Sequence, residues 1–360
     1  MRALRLRELD VGSFRNLSRY TLAPAPRLTV IAGENGRGKT SLLEAAYLAA
    51  TSRSFRTASL EDLVQRGQAS AFARIRVTEG DDLEREQIVA LEGSRRTVKA
   101  GGKRPPSLAA FAVRSPVVCF HAGELSLSSG PAAPRRTLLD RIALFFDPQL
   151  GDHRQRAQLA LRERQRALEA RGPSARDLDA YEELAAVHGA ALTRGRARAA
   201  QEIDQDARLA FLRIASPGLS LDLTYQPGGS PDADLARREL ALRRRKDLAR
   251  GLSTFGPHRD DLALRLGPDA APVRAVASQG QHRAITLALK LAEVAAIGRA
   301  RGLHPLLLLD DLSSELDAAR TEALLLYLSE SPCQMLVTTT RPELFHAPFV
   351  AATDRLDVVL

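Results

Sequence analysis

Tryptophan is absent from this 360-residue chain, and aromatic residues make up only 4% of it. Proteins that grip single-stranded nucleic acid stack bases on aromatic rings along a basic groove. With so few rings, and none interleaved with basic residues, base stacking does not dominate any nucleic-acid binding here. Cysteine is nearly absent too: Cys119 and Cys333 each sit in an apolar run. Two thiols of that kind exclude a secreted domain held by disulfides and point to a reducing compartment. No apolar stretch reaches the roughly 18 residues that a spanning helix needs. The opening MRALRLRELD alternates charge with apolar residues and has no signal-peptide core. The expectation is a soluble, cytoplasmic protein with no membrane partner. Tandem repeats are not visible, so a solenoid is excluded. A sustained heptad is missing as well, which argues against a long coiled coil.

Lysine is scarce, with five (Lys39, Lys99, Lys103, Lys246 and Lys290) among 52 basic residues, so each one stands out. What the chain does have is length for two domains, or for one domain with an insertion, and a hydrophobic share of 44% that supports a full core. Its net charge is +9, unevenly spread: residues 1–140 hold 22 basic and 14 acidic side chains, residues 261–360 hold 9 and 12. A basic lobe of this kind suggests a polyanion partner, bound through release of phosphate counterions.

Alternation marks a strand over residues 3–9, and short apolar runs mark buried strands at 28–32, 117–120, 306–309 and 334–339. Residues 70–100 read as an antiparallel sheet of three short alternating segments. Residues 135–215 read as helices broken at Asp147-Pro148 and Gly172-Pro173. The pieces 153–171 and 174–214 would run antiparallel. A strand is expected at 220–225, and helices at 41–50, 232–250, 279–301 and 317–329.

The segment Gly33-Glu34-Asn35-Gly36-Arg37-Gly38-Lys39-Thr40-Ser41 follows an apolar strand and opens a helix. It fits G-x-x-x-x-G-K-[ST]. Glycines let backbone N–H groups turn inward onto phosphate oxygens, Lys39 reaches the β- and γ-phosphates, and the Thr40 hydroxyl ligates Mg²⁺. The helix that follows aims its positive end at the anion. Further on, four leucines end in Asp310-Asp311. A buried strand ending in a carboxylate holds Mg²⁺ through Asp310, and Asp311 is placed to orient or deprotonate the attacking water. The two halves lie far apart in sequence, and no N-K-x-D guanine motif occurs, which excludes a small GTPase. Between them Ser278-Gln279-Gly280-Gln281 opens a helix and offers a second phosphate site. Ser314-Glu315-Leu316-Asp317 follows the acidic pair.

This order of motifs resembles the ABC-type ATPases, more narrowly the SMC-like repair ATPases, and most narrowly the RecF family. The resemblance is carried by Phe14-Arg15-Asn16, by the loop at 33–41 with Leu42-Leu43-Glu44-Ala45, and by Arg135-Arg136 with Asp140. Gly256-Pro257-His258-Arg259-Asp260-Asp261-Leu262, Ser278–Arg283 and Leu308–Asp317 with Arg320 and Leu324 complete it. The chain departs from the family at Ala122-Gly123-Glu124, where a Pro-acid-Asp run is usual, and at Leu138, where an aromatic residue is usual. Thr338-Thr339-Thr340 stands where transporters carry a switch histidine.

The resemblance implies an α/β fold: an ABC/SMC-like phosphate-loop ATPase head with an antiparallel β lobe and an inserted helical subdomain. The expected boundaries are 1–134 and 216–360 for the head and 135–215 for the insertion. It implies ATP and Mg²⁺ as cofactors and an ATP-dependent homodimer. Ser278, Gly280 and Gln281 of one subunit would complete the site holding Lys39 and Thr40 of the other, with Arg15 and Thr339 also at the nucleotide. It further implies slow hydrolysis, action with RecR and possibly RecO to load RecA, and binding to double-stranded DNA or single/double-strand junctions. Candidate DNA contacts are Arg53, Arg56, Arg74, Arg76, Arg95 and Arg96, and a second cluster of Arg237, Arg238, Arg243, Arg244, Arg245, Lys246 and Arg250. Transporter-coupled ATPases and phosphoryl-transfer kinases are the alternatives.

Overall fold

Four apolar runs, widely separated in sequence, line up side by side in one sheet. The computed structural model describes residues 2–80, 83–214, 218–311, 318–345 and 352–360. In chain order the first elements are β1 (Arg2–Phe14), β2 (Leu17–Leu22), β3 (Leu28–Ala32), α1 (Lys39–Thr51), β4 (Ser70–Glu79), β5 (Leu83–Glu92) and β6 (Arg95–Ala100). After α2 (Leu108–Ala112) and β7 (Val117–Phe120) come the helices α3 (Ser126–Ser129), α4 (Ala132–Phe146), α5 (Leu150–Arg171) and α6 (Leu178–Ile214). Then follow β8 (Leu221–Gln226), α7 (Ala233–Leu242), α8 (Arg244–Arg250), β9 (Asp261–Leu266), β10 (Ala271–Pro272), α9 (Val273–Val276) and α10 (Gln279–Arg301). The described chain closes with β11 (Leu303–His304), β12 (Leu306–Asp310), α11 (Ala318–Glu330), β13 (Met335–Thr339) and β14 (Arg355–Val359).

The chain divides into two units. One comprises Met1–Leu125, Asp206–Leu219 and Ala277–Leu360; the other comprises Ser126–Gln205 and Ser220–Val276.

The first unit holds two sheets. In the parallel one the order is β14-β3-β13-β12-β7. Every residue of β3, β7 and β13 is buried, as expected for strands covered on both faces. The other sheet runs β11-β1-β4-β5-β6 with β2 also on β1, antiparallel except at the β11–β1 pair. Its β4 alternates buried and half-buried residues, the pattern of a sheet with one wet face. Leu42, Leu43, Ala46 and Leu48 of α1 share one core with Leu6, Leu9, Val89 and Leu308. Gln334 stitches the two sheets: its side chain accepts from Leu6 N at 2.6 Å and donates to Leu6 O at 3.1 Å and Ala25 O at 2.7 Å.

Helices dominate the second unit. Its three-stranded antiparallel sheet has the order β10-β9-β8. The expected break positions hold: α4 ends at Asp147-Pro148, and α5 ends at Gly172, whose φ is 76°. α5 and α6 run antiparallel, tied by Arg164 to Glu182 at 3.0 Å and by His153 to His188 at 2.9 Å. Arg164 is fully buried and also donates to Asp247 at 2.8 Å.

Two expectations change. The helix expected over 232–250 is two helices, broken at Arg243, whose φ of −93° and ψ of 0° leave the helical basin. The expected boundaries at 134/135 and 215/216 shift: residues 126–134 and 220–276 group with the helices and Asp206–Leu219 with the head, because Arg135, Arg164 and Arg196 of the helices reach Asp261, Asp247 and Asp260. A short alternating strand does not announce which sheet it will join.

Candidate functional site

The buried strand β3 delivers the chain into the glycine loop, and the loop geometry depends on its glycines. Gly33 has φ 146°, and a Cβ there would lie 2.5 Å from the backbone oxygen of Leu360. Gly38 has φ 109°, and its Cβ would lie 2.8 Å from Leu17. No L side chain fits either position without displacing backbone or core. Asn16, from the β1–β2 turn, braces the loop at its middle and its far end: it donates to Gly36 O at 2.9 Å and accepts from the Ser41 hydroxyl at 2.8 Å. Lys39 is 7% exposed and donates to Gly33 O at 2.5 Å and Glu34 O at 2.8 Å. Glu34 and Arg37 face solvent and are 3.6 Å apart.

β12 carries the carboxylates to the same place. Asp310 accepts from the Thr40 hydroxyl at 2.8 Å and from the Thr338 hydroxyl at 2.7 Å, both on Oδ1. Burial pushes the Asp310 carboxyl above the usual range, and neighbouring Asp311 adds repulsion; the two hydroxyl hydrogen bonds and the charge of Arg56 oppose the rise. Asp311 is left-handed, with φ 50°, and its N–H donates to Thr338 O at 3.1 Å and to the Thr338 hydroxyl at 3.0 Å.

A third group converges on Glu44, one turn along α1 from Thr40. Its buried carboxylate accepts from Arg15 through Nε at 3.0 Å and through a terminal nitrogen at 2.8 Å. It also accepts from Ser54 at 2.5 Å and from Arg56 at 3.4 Å.

These elements enclose a cavity of about 490 Å³ lined by Arg15, Asn16, Asn35, Gly36, Gly38, Lys39, Thr40 and Ser41. Arg56, Asp62, Val64, Arg66, Asp311 and Thr338 complete the wall. Four cationic side chains and a helix N-terminus face one space, which suits a polyphosphate. The Thr40 hydroxyl and the Asp310 carboxylate offer hard oxygen donors side by side. Among the described residues no group of three or more His, Cys, Asp or Glu forms a metal cage. That donor set fits Mg²⁺, which is held by one or two protein oxygens together with substrate phosphates.

The structure thus brings together Arg15, Asn35, Gly36, Gly38, Lys39, Thr40, Ser41, Asp310 and Asp311. Thr339 does not line this cavity. It is buried, its hydroxyl accepts from Arg341 N at 2.9 Å, and Thr338 is the threonine of β13 that lines the cavity, because alternate strand residues point to opposite faces. Ser278, Gly280 and Gln281 do not line this cavity. They open α10 as a capping box, with Gln281 N donating to Ser278 Oγ at 3.3 Å and Ser278 N to Gln281 Oε1 at 2.7 Å. Ser278 is exposed. Leu312–Asp317 lie outside the described residues, and so does the Arg320 side chain. Asn16, Glu44 and Thr338 were not singled out as site residues. Each of the three stands inside a quoted motif, Phe14-Arg15-Asn16, Leu42-Leu43-Glu44-Ala45 or Thr338-Thr339-Thr340.

The arginines expected at DNA sort into classes. Arg56 lines the cavity at the glycine loop. Arg74 pairs with Asp10 at 2.8 Å and Arg76 with Glu8 at 3.6 Å. Arg96 donates to Ser52 O. Arg244 is held by Glu182 at 2.5 Å, Arg243 by Glu239 at 2.8 Å and Arg237 by Glu183 at 3.4 Å. Arg53, Arg95, Arg238, Arg245, Lys246 and Arg250 include the exposed remainder, Arg95 with no ion pair among the described residues.

In the helical unit the other quoted motifs form one structural node. Arg135 grips Asp261 with two bonds, at 2.8 and 3.0 Å, and Arg136 donates to Asp260 O at 2.8 Å. Asp260 is fully buried; it accepts from Arg196 at 2.9 Å, Tyr225 at 2.7 Å and Gly228 N at 2.7 Å. Arg196 also holds Asp140 at 2.7 Å. These charges are consumed internally.

A family model described as the RecF/RecN/SMC N terminal domain matches residues 5–352. The chain is 38% identical to the DNA replication and repair protein RecF of Anaeromyxobacter sp. (strain Fw109-5), covering 94% of this chain and 92% of that one. It is 38% identical to the DNA replication and repair protein RecF of Myxococcus xanthus (strain DK1622), covering 99% and 96%. A solved structure of the recombination mediator protein RecF-ATP in the RecFOR pathway superposes with a TM-score of 0.83 at 26% identity, covering 94% of this chain and 92% of that chain.

Proposed function

Because the chain belongs to the RecF/RecN/SMC N-terminal domain family, we propose that it is an ATP-dependent DNA-binding protein of replication and recombinational repair. The observation that carries this reading is the Thr40–Asp310 hydrogen bond at the floor of a cavity lined by Lys39, Arg15 and Arg56, in a chain 38% identical to proteins named for DNA replication and repair. Those relatives also weigh against a transporter ATPase.

In this reading the glycine-loop amides and Lys39 neutralise the β- and γ-phosphates. Thr40 and Asp310 would hold Mg²⁺, which when bound supplies positive charge to the phosphate oxygens. Asp311 orients the attacking water and accepts its proton; an aspartate has less reach than a glutamate, so hydrolysis is slow and serves as a switch. The signature residues Ser278, Gly280 and Gln281 stand outside their own chain's cavity and open a 23-residue helix, which suits capping the γ-phosphate held by a second subunit. Two chains then sandwich two ATP molecules, and hydrolysis releases the dimer. DNA is held through its backbone, without sequence readout. RecR and RecO are the proposed partners, and RecA loading at single-strand gaps the proposed outcome.

Light scattering tests the sandwich. ATP should dimerise the wild type, and Ser278→Arg should leave a folded monomer. A dimer that persists in Ser278→Arg with ATP sinks the arrangement.

A further inference from the structure

We propose that Glu44 is a positioning residue for nucleotide binding: its buried carboxylate sets the two guanidiniums, Arg15 and Arg56, that the nucleotide meets. This deepens the ATP-binding reading above and rests on it.

Glu44 is 0% exposed and does not line the cavity, whereas Arg15 and Arg56 both do. It therefore acts through them. Its donors come from two segments that share no strand or helix with it: the turn at Arg15 and the loop carrying Ser54 and Arg56. Burying a carboxylate is costly, and a buried ion pair can often be replaced by apolar residues with little loss of stability. Fold stability alone is therefore a weak reason for an acid here.

The two arginines are presented differently. All three nitrogens of Arg15 already donate, two to Glu44 and one to Asp62 O at 2.8 Å. Its backbone is also held left-handed, with φ 54°. With its edge engaged, Arg15 offers its flat face, which stacks on a nucleobase. Arg56 makes a single long bond of 3.4 Å to Glu44 and keeps its remaining N–H groups for phosphate oxygens.

The sign of one substitution separates positioning from simple electrostatics. Glu44→Gln removes a negative charge beside the cavity, so Coulomb attraction alone would tighten binding of an anion. Positioning predicts the opposite: ATP binding weakened by about tenfold or more, because a small misplacement of a binding group is expensive. The ratio of ATP affinity to inorganic triphosphate affinity should also fall, since the stacking face of Arg15 is lost and triphosphate has no base. In an Arg15→Ala/Arg56→Ala background the further change Glu44→Gln should have little effect on ATP binding.

Titration calorimetry with ATP and with inorganic triphosphate reads these outcomes, with thermal unfolding confirming the fold. Unchanged or tighter ATP binding by folded Glu44→Gln overturns the proposal and leaves the ATP site standing. A wild type that binds no ATP overturns both. Should Glu44→Gln fail to fold, Arg15→Gln reads the same ratio from a side chain 20% exposed, and an unchanged ratio there overturns the proposal.

Discussion

The Thr40 hydroxyl lies 2.8 Å from Oδ1 of Asp310, a contact between residues 270 positions apart. Helix α1 and strand β12 each end on this bond, so the phosphate loop and the acidic strand are one site. The same carboxylate is buried and pushed above its usual range, which makes it a place where stability and function oppose each other.

Asp310→Asn should therefore abolish ATP hydrolysis and raise thermal stability at neutral pH. The raised carboxyl pKa means that ionising Asp310 costs folding free energy as pH rises through it. The amide oxygen can still accept from Thr40 and Thr338. The gain in Tm over wild type should grow with pH and vanish at acid pH, where Asp310 is protonated. Calorimetric scans across pH check it; a lower Tm for Asp310→Asn at pH 8 would contradict the account.

Histidines set the opposite slope. Burial lowers His188, with the charges of His153 and Arg156 adding to it, and burial also lowers His282 and His304. Groups depressed in the folded state bind protons more readily when unfolded. The stability they contribute is present above the ordinary imidazole range and is lost as pH falls through about 6.5. Tm should drop between pH 7.5 and 5.5, and His188→Gln should flatten part of that drop.

Arg164 is expected to be a hot point for the helical unit. It is fully buried between Glu182 and Asp247, so Arg164→Ala leaves two buried carboxylates short of a partner. The expected loss is about 3–5 kcal/mol, read by denaturant unfolding. A loss under about 1 kcal/mol would match only an exposed pair.

Exposed arginines should report DNA binding and internally paired ones should not. Arg95→Gln should weaken duplex binding uniformly across sequences and reduce the salt slope by about 1. Arg74→Gln should leave the slope unchanged, because Arg74 is held by Asp10 and Glu8. Equal slopes for wild type and Arg95→Gln would remove Arg95 from the interface.

The candidate site was legible because its chemistry is local. Glycine, lysine and threonine must be neighbours for one turn to cradle phosphate, and the acidic pair must cap an apolar strand. Buried strands such as Leu28–Ala32 and Leu306–Asp310 were legible for the same reason, as unbroken apolar runs. Ser278–Gln281 was legible as the start of α10, though not as the capping box it forms.

Long-range pairing was not legible. Glu44 reads as a helix residue of α1 until the fold brings Arg15 against it. Thr338 and Thr339 differ only in which face of β13 they occupy, and that parity is set by packing. Strand β14, Arg355–Val359, is half-buried or exposed throughout, so no apolar run marked it. Arg74 and Arg76 looked like free charge in sequence because Glu8, Asp10 and Glu86 meet them only across strands.

The central claim is that ATP at the Lys39 site governs DNA binding. Fluorescence anisotropy of labelled duplex and gapped DNA, with and without ATP, tests it in wild type and Lys39→Arg. The account predicts that ATP tightens binding in the wild type and that Lys39→Arg loses this response. DNA binding that ignores ATP in the wild type would contradict it.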